Sequence, residues 1–152
     1  MKTITVQRNI KAPIEKVFDI IADHENYKSF PGIKASKLVR EGRTEKNGLG
    51  AIREIDAGKA WFQEEITHFE RPRRLDYQIV KSRPPLEHKG GSVRLEATGD
   101  GGCAVTWTTT VGVKIPLIGA LLDRLMLPQL ERGLAGTLKN IERRLAPAAK
   151  AA

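Results

Sequence analysis

The most constraining feature of the sequence is a run of short alternating segments between residues 35 and 113, each separated from the next by turn residues. Apolar and polar residues alternate as they do in β-strands that have one covered face. The connections are too short for helical crossovers, so successive strands should pair in antiparallel fashion. The predicted strands are Ala35–Glu41, Gly50–Asp56, Ala60–Phe69, Leu75–Lys81, Gly91–Thr98 and Ala104–Val113.

One strand and two short helices are predicted before this run. Residues Thr3–Ile10 alternate, and Pro13 suits the first position of a helix, where a missing N–H is no loss. Asp23 is a candidate N-cap for a second short helix that continues to Lys28. The apolar stripe of the first helix consists of Ile14, Val17, Phe18 and Ile21.

Helical spacing returns at Gly119–Leu145, which as a helix would be about 40 Å long, enough to lie across a whole six- or seven-stranded sheet. Pro128 lies inside it and should kink or divide the helix. The side chains expected to form the helix wall that faces the sheet are Leu121, Leu125, Leu130 and Leu134.

The order of elements predicts an α+β fold in which a curved antiparallel sheet of six to seven strands wraps around one long C-terminal helix. Residues 1–146 are expected to form a single domain, and residues 147–152 a flexible tail. One helix and two short ones cannot fill the whole concave side of such a sheet. A cavity between helix and sheet is therefore expected, and apolar concave pockets with a few polar groups are the usual ligand sites.

Three segments resemble the SRPBCC (START-like, helix-grip) superfamily, and its polyketide cyclase/dehydrase and lipid-transport branch in particular. They are Ile10–Pro31 (IKAPIEKVFDIIADHENYKSFP), Glu64–Tyr77 (EEITHFERPRRLDY) and Ser92–Trp107 (SVRLEATGDGGCAVTW). The resemblance covers nearly the whole chain and implies the helix-grip fold. It says less about function, because this superfamily carries many activities on one scaffold.

The composition excludes several classes of protein. No segment has the run of about 18 to 20 apolar residues that a membrane span needs, and the alternating N-terminus is not a signal peptide. The lone Cys103 cannot form an internal disulfide, so we expect a cytoplasmic protein without stable membrane insertion. The formal charge of +8 is spread along the chain, which favours a solvated basic surface over nucleic acid as a partner.

No metal-ligand spacing and no nucleotide-binding glycine signature is present, so neither a metal nor a cofactor is expected. The candidates for ligand binding are instead polar and aromatic residues on the inner faces of strands, together with the helix wall. They are Arg53, Glu65, Tyr77, His88, Trp107, Leu121 and Leu125. His88 follows the Arg83-Pro84-Pro85 turn and is placed at the rim of the cavity, as an acid/base group or a ligand donor.

The strand register decides which glutamate faces the cavity. If Phe69 pairs with Leu75, strict alternation sends Glu65 inward with Tyr77, where Arg53 is its candidate partner. A slip of one residue would send Glu64 inward instead.

Three functions follow from these observations. The first is the binding of a hydrophobic small molecule, lipid-like, aromatic polyketide-like or isoprenoid, between sheet and helix. The resemblance also allows an enzyme similar to polyketide cyclase/dehydratases, in which Arg53, Glu65, Tyr77 and His88 steer ring closure and dehydration. The third is association with RNA or a ribosome through the basic surface. Whether the chain is a monomer or a homodimer stays open.

Overall fold

The structure is a computed structural model and describes residues 1–146, so the predicted flexible tail, 147–152, lies outside the described residues. Strand β1 is followed by helix α1 and a short 3-10 helix, then by six strands and the long helix α2. The elements are β1 (Lys2–Ile10), α1 (Ile14–Ile21), the 3-10 helix (His24–Ser29), β2 (Ala35–Arg40), β3 (Ile52–Asp56), β4 (Trp61–Glu70), β5 (Arg74–Arg83), β6 (Leu86–Ala97), β7 (Cys103–Val113) and α2 (Gly119–Leu145).

All seven strands form one antiparallel sheet in the order β1-β7-β6-β5-β4-β3-β2. The strands β2 to β7 are a meander, as the short connections between them require, and β1 pairs with β7. The predicted helix-grip fold, with a curved sheet, a long C-terminal helix and short helices after the first strand, is confirmed.

Most strand limits differ from the prediction by one or two residues, and β6 is the exception. It begins at Leu86 rather than Gly91, because the irregularity at Lys89-Gly90, between the paired residues His88 and Gly91, is a bulge inside the strand and not its start. Gly90 has a φ of +103°, a left-handed conformation that suits glycine.

The predictions for the short helices are correct in position and wrong in detail. Pro13 lies at the N-cap, one residue before α1, with an extended ψ of 140°. Its carbonyl accepts the first helical bonds, from Lys16 and Val17. Asp23 is at the N-cap of the 3-10 helix, but its carboxylate accepts a hydrogen bond from the Asn26 side chain rather than from the backbone.

Helix α2 packs against β1, β7 and α1. It continues through Pro128, so the proline does not divide it. Leu127, Leu138 and Ile141 are its buried apolar residues, and Arg8 of β1 donates to Glu142 at 2.8 Å. The helix covers the β1 side of the sheet, and the concave face of β3 to β7 carries the site described next. Among residues 1–146, no helix combines the length and the apolar character needed to cross a bilayer.

Candidate functional site

Three of the residues predicted to face inward do so. Arg53 on β3, Tyr77 on β5 and Trp107 on β7 lie on the concave face, and each is at most 5% exposed. The alternation of their strands determines these positions, because each shares parity with buried apolar neighbours such as Ile55 and Leu75. A buried arginine on this face needs a partner, since an unpaired interior charge is strongly unfavourable.

The partner of Arg53 is Glu64, and the prediction that Glu65 faces inward is wrong. Phe69 does pair with Leu75 as expected, but a bulge at Thr67 adds one residue to β4 before the next inward position. The parity of β4 is thereby reversed, so that Glu64 is 7% exposed on the concave face. Glu65 points outward, where its carboxylate lies 3.3 Å from the exposed Arg40.

The Arg53 guanidinium is held from several sides. Its Nε donates to Glu64 Oε1 at 2.8 Å, and its Nη1 donates to His24 Nδ1 at 3.2 Å. The guanidinium carbon lies 4.8 Å from the centre of the Tyr27 ring and 5.1 Å from that of Tyr77. Two aromatic faces and a carboxylate replace the water that this cation would have at the surface. Within residues 1–146, the hydrogen bonds of the pair use Arg53 Nε, Arg53 Nη1 and Glu64 Oε1, and leave Arg53 Nη2 and Glu64 Oε2 without one.

A second cluster of polar side chains adjoins the Arg53–Glu64 pair through Tyr77. The Tyr77 hydroxyl accepts a hydrogen bond of 2.8 Å from Trp107 Nε1, and the ring stacks on His88 at 5.6 Å between centroids. His88 Nε2 lies 2.8 Å from Thr109 Oγ1. Tyr77 also covers Gly91, where an added Cβ would lie 2.1 Å from the ring. The glycine therefore makes room for the ring that joins the two groups.

His88 is buried in the strand ladder and does not lie at a solvent-facing rim. Its Nδ1 accepts the backbone N–H of Ile79 at 2.9 Å, so Nε2 carries the proton and donates to Thr109. Burial lowers the pKa of His88 to about 4. Both ring nitrogens are engaged in the fold, which makes His88 a positioning residue for Tyr77 and not an available base.

The sheet is open next to His88. Backbone pairing of β5 with β6 ends at Tyr77 and Gly91. Beyond that point His88 and Ser82 bridge the strands by side-chain hydrogen bonds. A depression of about 210 Å³ lies at this gap; its lining residues are Ile79, Val80, Lys81, Ser82, Pro85 and Leu86.

Half-buried apolar side chains extend the concave face from the polar residues towards the gap between β5 and β6. Phe62 lies two residues before Glu64 on β4, and Ile79 lies two residues after Tyr77 on the antiparallel β5. On the helix, the half-buried Leu130 and Leu134 pack at the border of the core. The polar groups therefore lie at the inner end of a mostly apolar surface.

The assignment of Leu121 and Leu125 to the helix wall is wrong, because both are 59% exposed. The face of α2 that packs on the sheet is set by Asp123 and Leu127, both buried. Asp123 accepts the backbone N–H of Val113 at 2.7 Å and thereby fixes the rotation of the helix.

His24 and Tyr27 are site residues that the sequence analysis missed. They lie on the 3-10 helix, which packs against β2 and β3. His24 is fully buried; its Nε2 donates to the Asn47 carbonyl at 2.8 Å, and its Nδ1 faces Arg53. Burial, reinforced by the Arg53 charge, lowers the pKa of His24 to about 3. The tyrosine hydroxyl donates to the Ile21 carbonyl at 2.6 Å.

The two neutral histidines predict a pH-dependent stability. Their folded-state pKa values, about 3 and about 4, lie below the value of about 6.5 in the unfolded chain. The unfolded state therefore takes up more protons as the pH falls, and the stabilisation that is complete above about pH 6.5 is lost towards pH 4 and 3. We expect a slope of about 1.4 kcal/mol per pH unit for each histidine near pH 5.

Urea unfolding at pH 7 and pH 5 measures this slope. The variant His88→Gln, which keeps a polar side chain without a titrating ring, should show a clearly smaller loss between the two pH values. Equal losses for the variant and the unmodified chain would contradict the assignment of His88 as a neutral, buried group.

In the described part of the chain, no cluster of three or more His, Cys, Asp or Glu residues could hold a metal ion. What the site offers is a buried ion pair with unused hydrogen-bonding atoms, two tyrosines and an indole, all at the inner end of an apolar surface.

Comparisons with known proteins agree with this architecture. Residues 1–146 match the family model described as polyketide cyclase/dehydrase and lipid transport. A START superfamily protein from Mycobacterium smegmatis has a TM-score of 0.75 and 16% identity, covering 95% of this chain and 99% of that one. A Thermus thermophilus protein has a TM-score of 0.76 and 21% identity, covering 95% of this chain and 97% of its own.

The di-domain ARO/CYC protein BexL, from the BE-7585A biosynthetic pathway, has a TM-score of 0.72 and 19% identity. The match covers 97% of this chain and 48% of BexL. No curated protein sequence matches the chain significantly.

Proposed function

The chain belongs to the polyketide cyclase/dehydrase and lipid transport family, and we propose that it binds a small apolar molecule that carries neutral oxygen groups. The binding site is the concave face of β3 to β7, with the oxygen groups of the ligand at the Arg53–Glu64 pair. The observation that carries the proposal is this pair: a buried arginine and glutamate joined at 2.8 Å, each with an atom left for a further hydrogen bond.

The charges of the site favour a neutral ligand over an anion. The Arg53 cation is already balanced by the Glu64 carboxylate, and His24 and His88 are neutral. A second carboxylate placed here would be next to Glu64 without a free cation. Hydroxyl and carbonyl groups fit better, because Glu64 Oε2 can accept a hydrogen bond and Arg53 Nη2 can donate one.

The apolar body of the ligand would lie along Phe62 and Ile79 and against Leu130 and Leu134 of α2. These side chains are only half-buried, and apolar surface of this kind gains from being covered. The depression at the β5–β6 gap adjoins Ile79 and supports this direction of approach.

Naphthol, naphthalene and naphthoate form a probe series with one apolar body and three head groups. We expect calorimetric titration to show naphthol bound at least about fivefold more tightly than naphthalene, since one hydrogen bond to a charged pair accounts for that difference. Naphthoate should bind more weakly than naphthol. Equal affinities for naphthol and naphthalene, or tightest binding of naphthoate, would contradict the proposed role of the ion pair.

A second candidate function is polyketide cyclase/dehydratase-like catalysis. It is favoured by the Glu64 oxygen that has no hydrogen bond in residues 1–146, because a buried carboxylate next to a ligand carbonyl chain can exchange a proton with it. Under this alternative, a linear poly-β-ketone analogue would cyclise faster with the protein than without it, and Glu64→Gln would abolish the acceleration while the analogue still binds. Binding without acceleration favours the first function.

A further inference from the structure

An apolar surface is exposed where α2 begins. Leu117 is fully exposed, Ile118 is 48% exposed, and Leu121 and Leu125 are each 59% exposed. These four residues, which we term the apolar tip, occupy adjacent positions along one side of the helix start, because Ile118, Leu121 and Leu125 are three and four residues apart. Four large aliphatic side chains grouped in water need an explanation, whereas single ones do not.

The apolar tip is held in place by the backbone around it. Leu117 has a φ of +72°, a left-handed conformation that is rare for a side chain of this kind. Backbone hydrogen bonds hold the segment on both sides of Leu117. The Lys114 N–H donates to the Pro85 carbonyl and the Gly119 N–H to the Ile115 carbonyl, each at 2.9 Å. A strained backbone that presents a leucine to solvent suggests a function outside the fold itself.

Exposed basic residues surround the apolar tip. Lys114 lies three residues before Leu117, and Arg124 directly precedes Leu125. Lys2 is paired with Val111 near the end of β7, and Arg83 is at the β5–β6 turn to which Lys114 is bonded.

The carboxylates of this region offset these cations only in part. Asp123 is buried and bonded to the Val113 backbone and the terminal amino group, and Glu87 is exposed on the neighbouring strand β6. The end of the molecule thus combines an aliphatic surface with a surplus of positive charge.

We propose that the apolar tip docks on the surface of an anionic lipid bilayer. Leu117, Ile118 and Leu121 would enter the boundary between head groups and acyl chains, and Lys114 and Arg124 would contact lipid phosphates. Aliphatic residues beside basic ones are the combination that binds such interfaces. This docking is independent of which ligand the concave face binds.

The alternatives fit the surface less well. A second copy of the chain would bring the same basic residues against one another, at a formal charge of +8 on each copy. Single-stranded RNA is bound by aromatic stacking platforms, and the apolar tip has no aromatic side chain.

Flotation of the full chain with lipid vesicles tests the proposal. We expect it to float with vesicles of phosphatidylcholine and phosphatidylglycerol, and much less with phosphatidylcholine alone. The double variant Leu117→Ser/Leu121→Ser should bind the anionic vesicles at least about tenfold more weakly. The matched control Val39→Ser/Leu49→Ser removes two exposed aliphatic side chains elsewhere and should bind like the unmodified chain.

Three results would overturn the proposal. One is the absence of flotation with the anionic vesicles, and another is equal binding by the Leu117→Ser/Leu121→Ser variant. The third is a dimer in sedimentation, or a complex with single-stranded RNA, that this variant loses while vesicle binding is unchanged. The four substituted residues of the two double variants are all solvent-exposed. Equal thermal unfolding of both variants and the unmodified chain would therefore show that a loss of vesicle binding is not caused by misfolding.

Discussion

Replacing Glu64 by leucine is expected to lower the free energy of unfolding by about 3 to 5 kcal/mol, because Arg53 would remain buried without its carboxylate. Arg53 is 1% exposed, and its other hydrogen bond goes to a neutral histidine. The substitution therefore leaves a cation in the interior with no opposite charge within the site. Urea unfolding at pH 7 measures the loss.

The adjacent glutamate is the matched control. Glu65→Leu removes the same group one residue away, but its partner Arg40 is exposed and 3.3 Å distant. Such a surface pair contributes at most about 1 kcal/mol. If Glu65→Leu were as destabilising as Glu64→Leu, the reversal of β4 parity at Thr67 would be wrong.

The double variant Arg53→Met/Glu64→Leu separates stability from binding. Removing both charges should restore the free energy of unfolding to within about 2 kcal/mol of the unmodified chain, the remainder reflecting His24 Nδ1 without its donor. Naphthol binding should still be lost, since the atoms proposed to hold its hydroxyl are gone. A double variant that folds and binds naphthol normally would assign the pair a purely structural role.

The second large effect is expected at Gly91. A methyl group there would lie 2.1 Å from the Tyr77 ring, which is itself held by the indole of Trp107 and the stacked His88. Either the ring or the β6 backbone must move, and Gly91→Ala should lower the free energy of unfolding by about 3 kcal/mol or more. Displacing the ring should also weaken naphthol binding.

A glycine with open space around it provides the comparison. No heavy atom lies within 4 Å of a Cβ added at Gly133, which is inside α2. Gly133→Ala should therefore stabilise the chain, by about 0.5 to 1 kcal/mol, through the better helix propensity of alanine. A similar small gain at Gly91 would show that Tyr77 does not pack over β6 as described.

The fold followed from the sequence because patterning and connection lengths agreed along the whole chain. Alternation also identified Arg53, Tyr77 and Trp107 as inward-facing, since each is on a strand with buried neighbours of the same parity. The prediction was wrong for Glu65, because a bulge changes parity and leaves no clear signal in the sequence. The Phe69–Leu75 pairing was right, yet it could not reveal the extra residue at Thr67.

The prediction that Leu121 and Leu125 face the sheet was wrong for a related reason. The start of α2 is apolar on more than one side, so spacing alone allows either Leu121 and Leu125 or Leu127 to face the sheet. The contact of Asp123 with the Val113 backbone decides between them, and a tertiary hydrogen bond of this kind cannot be read from periodicity. His24 was missed because a short 3-10 helix has too few residues to show a buried face.

The indole N–H resonance of Trp107 tests most directly whether a ligand occupies the site at the ion pair. The chain has two tryptophans, so Trp61→Phe assigns the Trp107 signal, and the indole N–H donates to Tyr77 beside Arg53. In a ¹H–¹⁵N correlation spectrum, naphthol should shift this resonance until saturation, and it should not do so in Arg53→Met/Glu64→Leu. Binding of naphthol that leaves the Trp107 indole signal unmoved would contradict the proposed site.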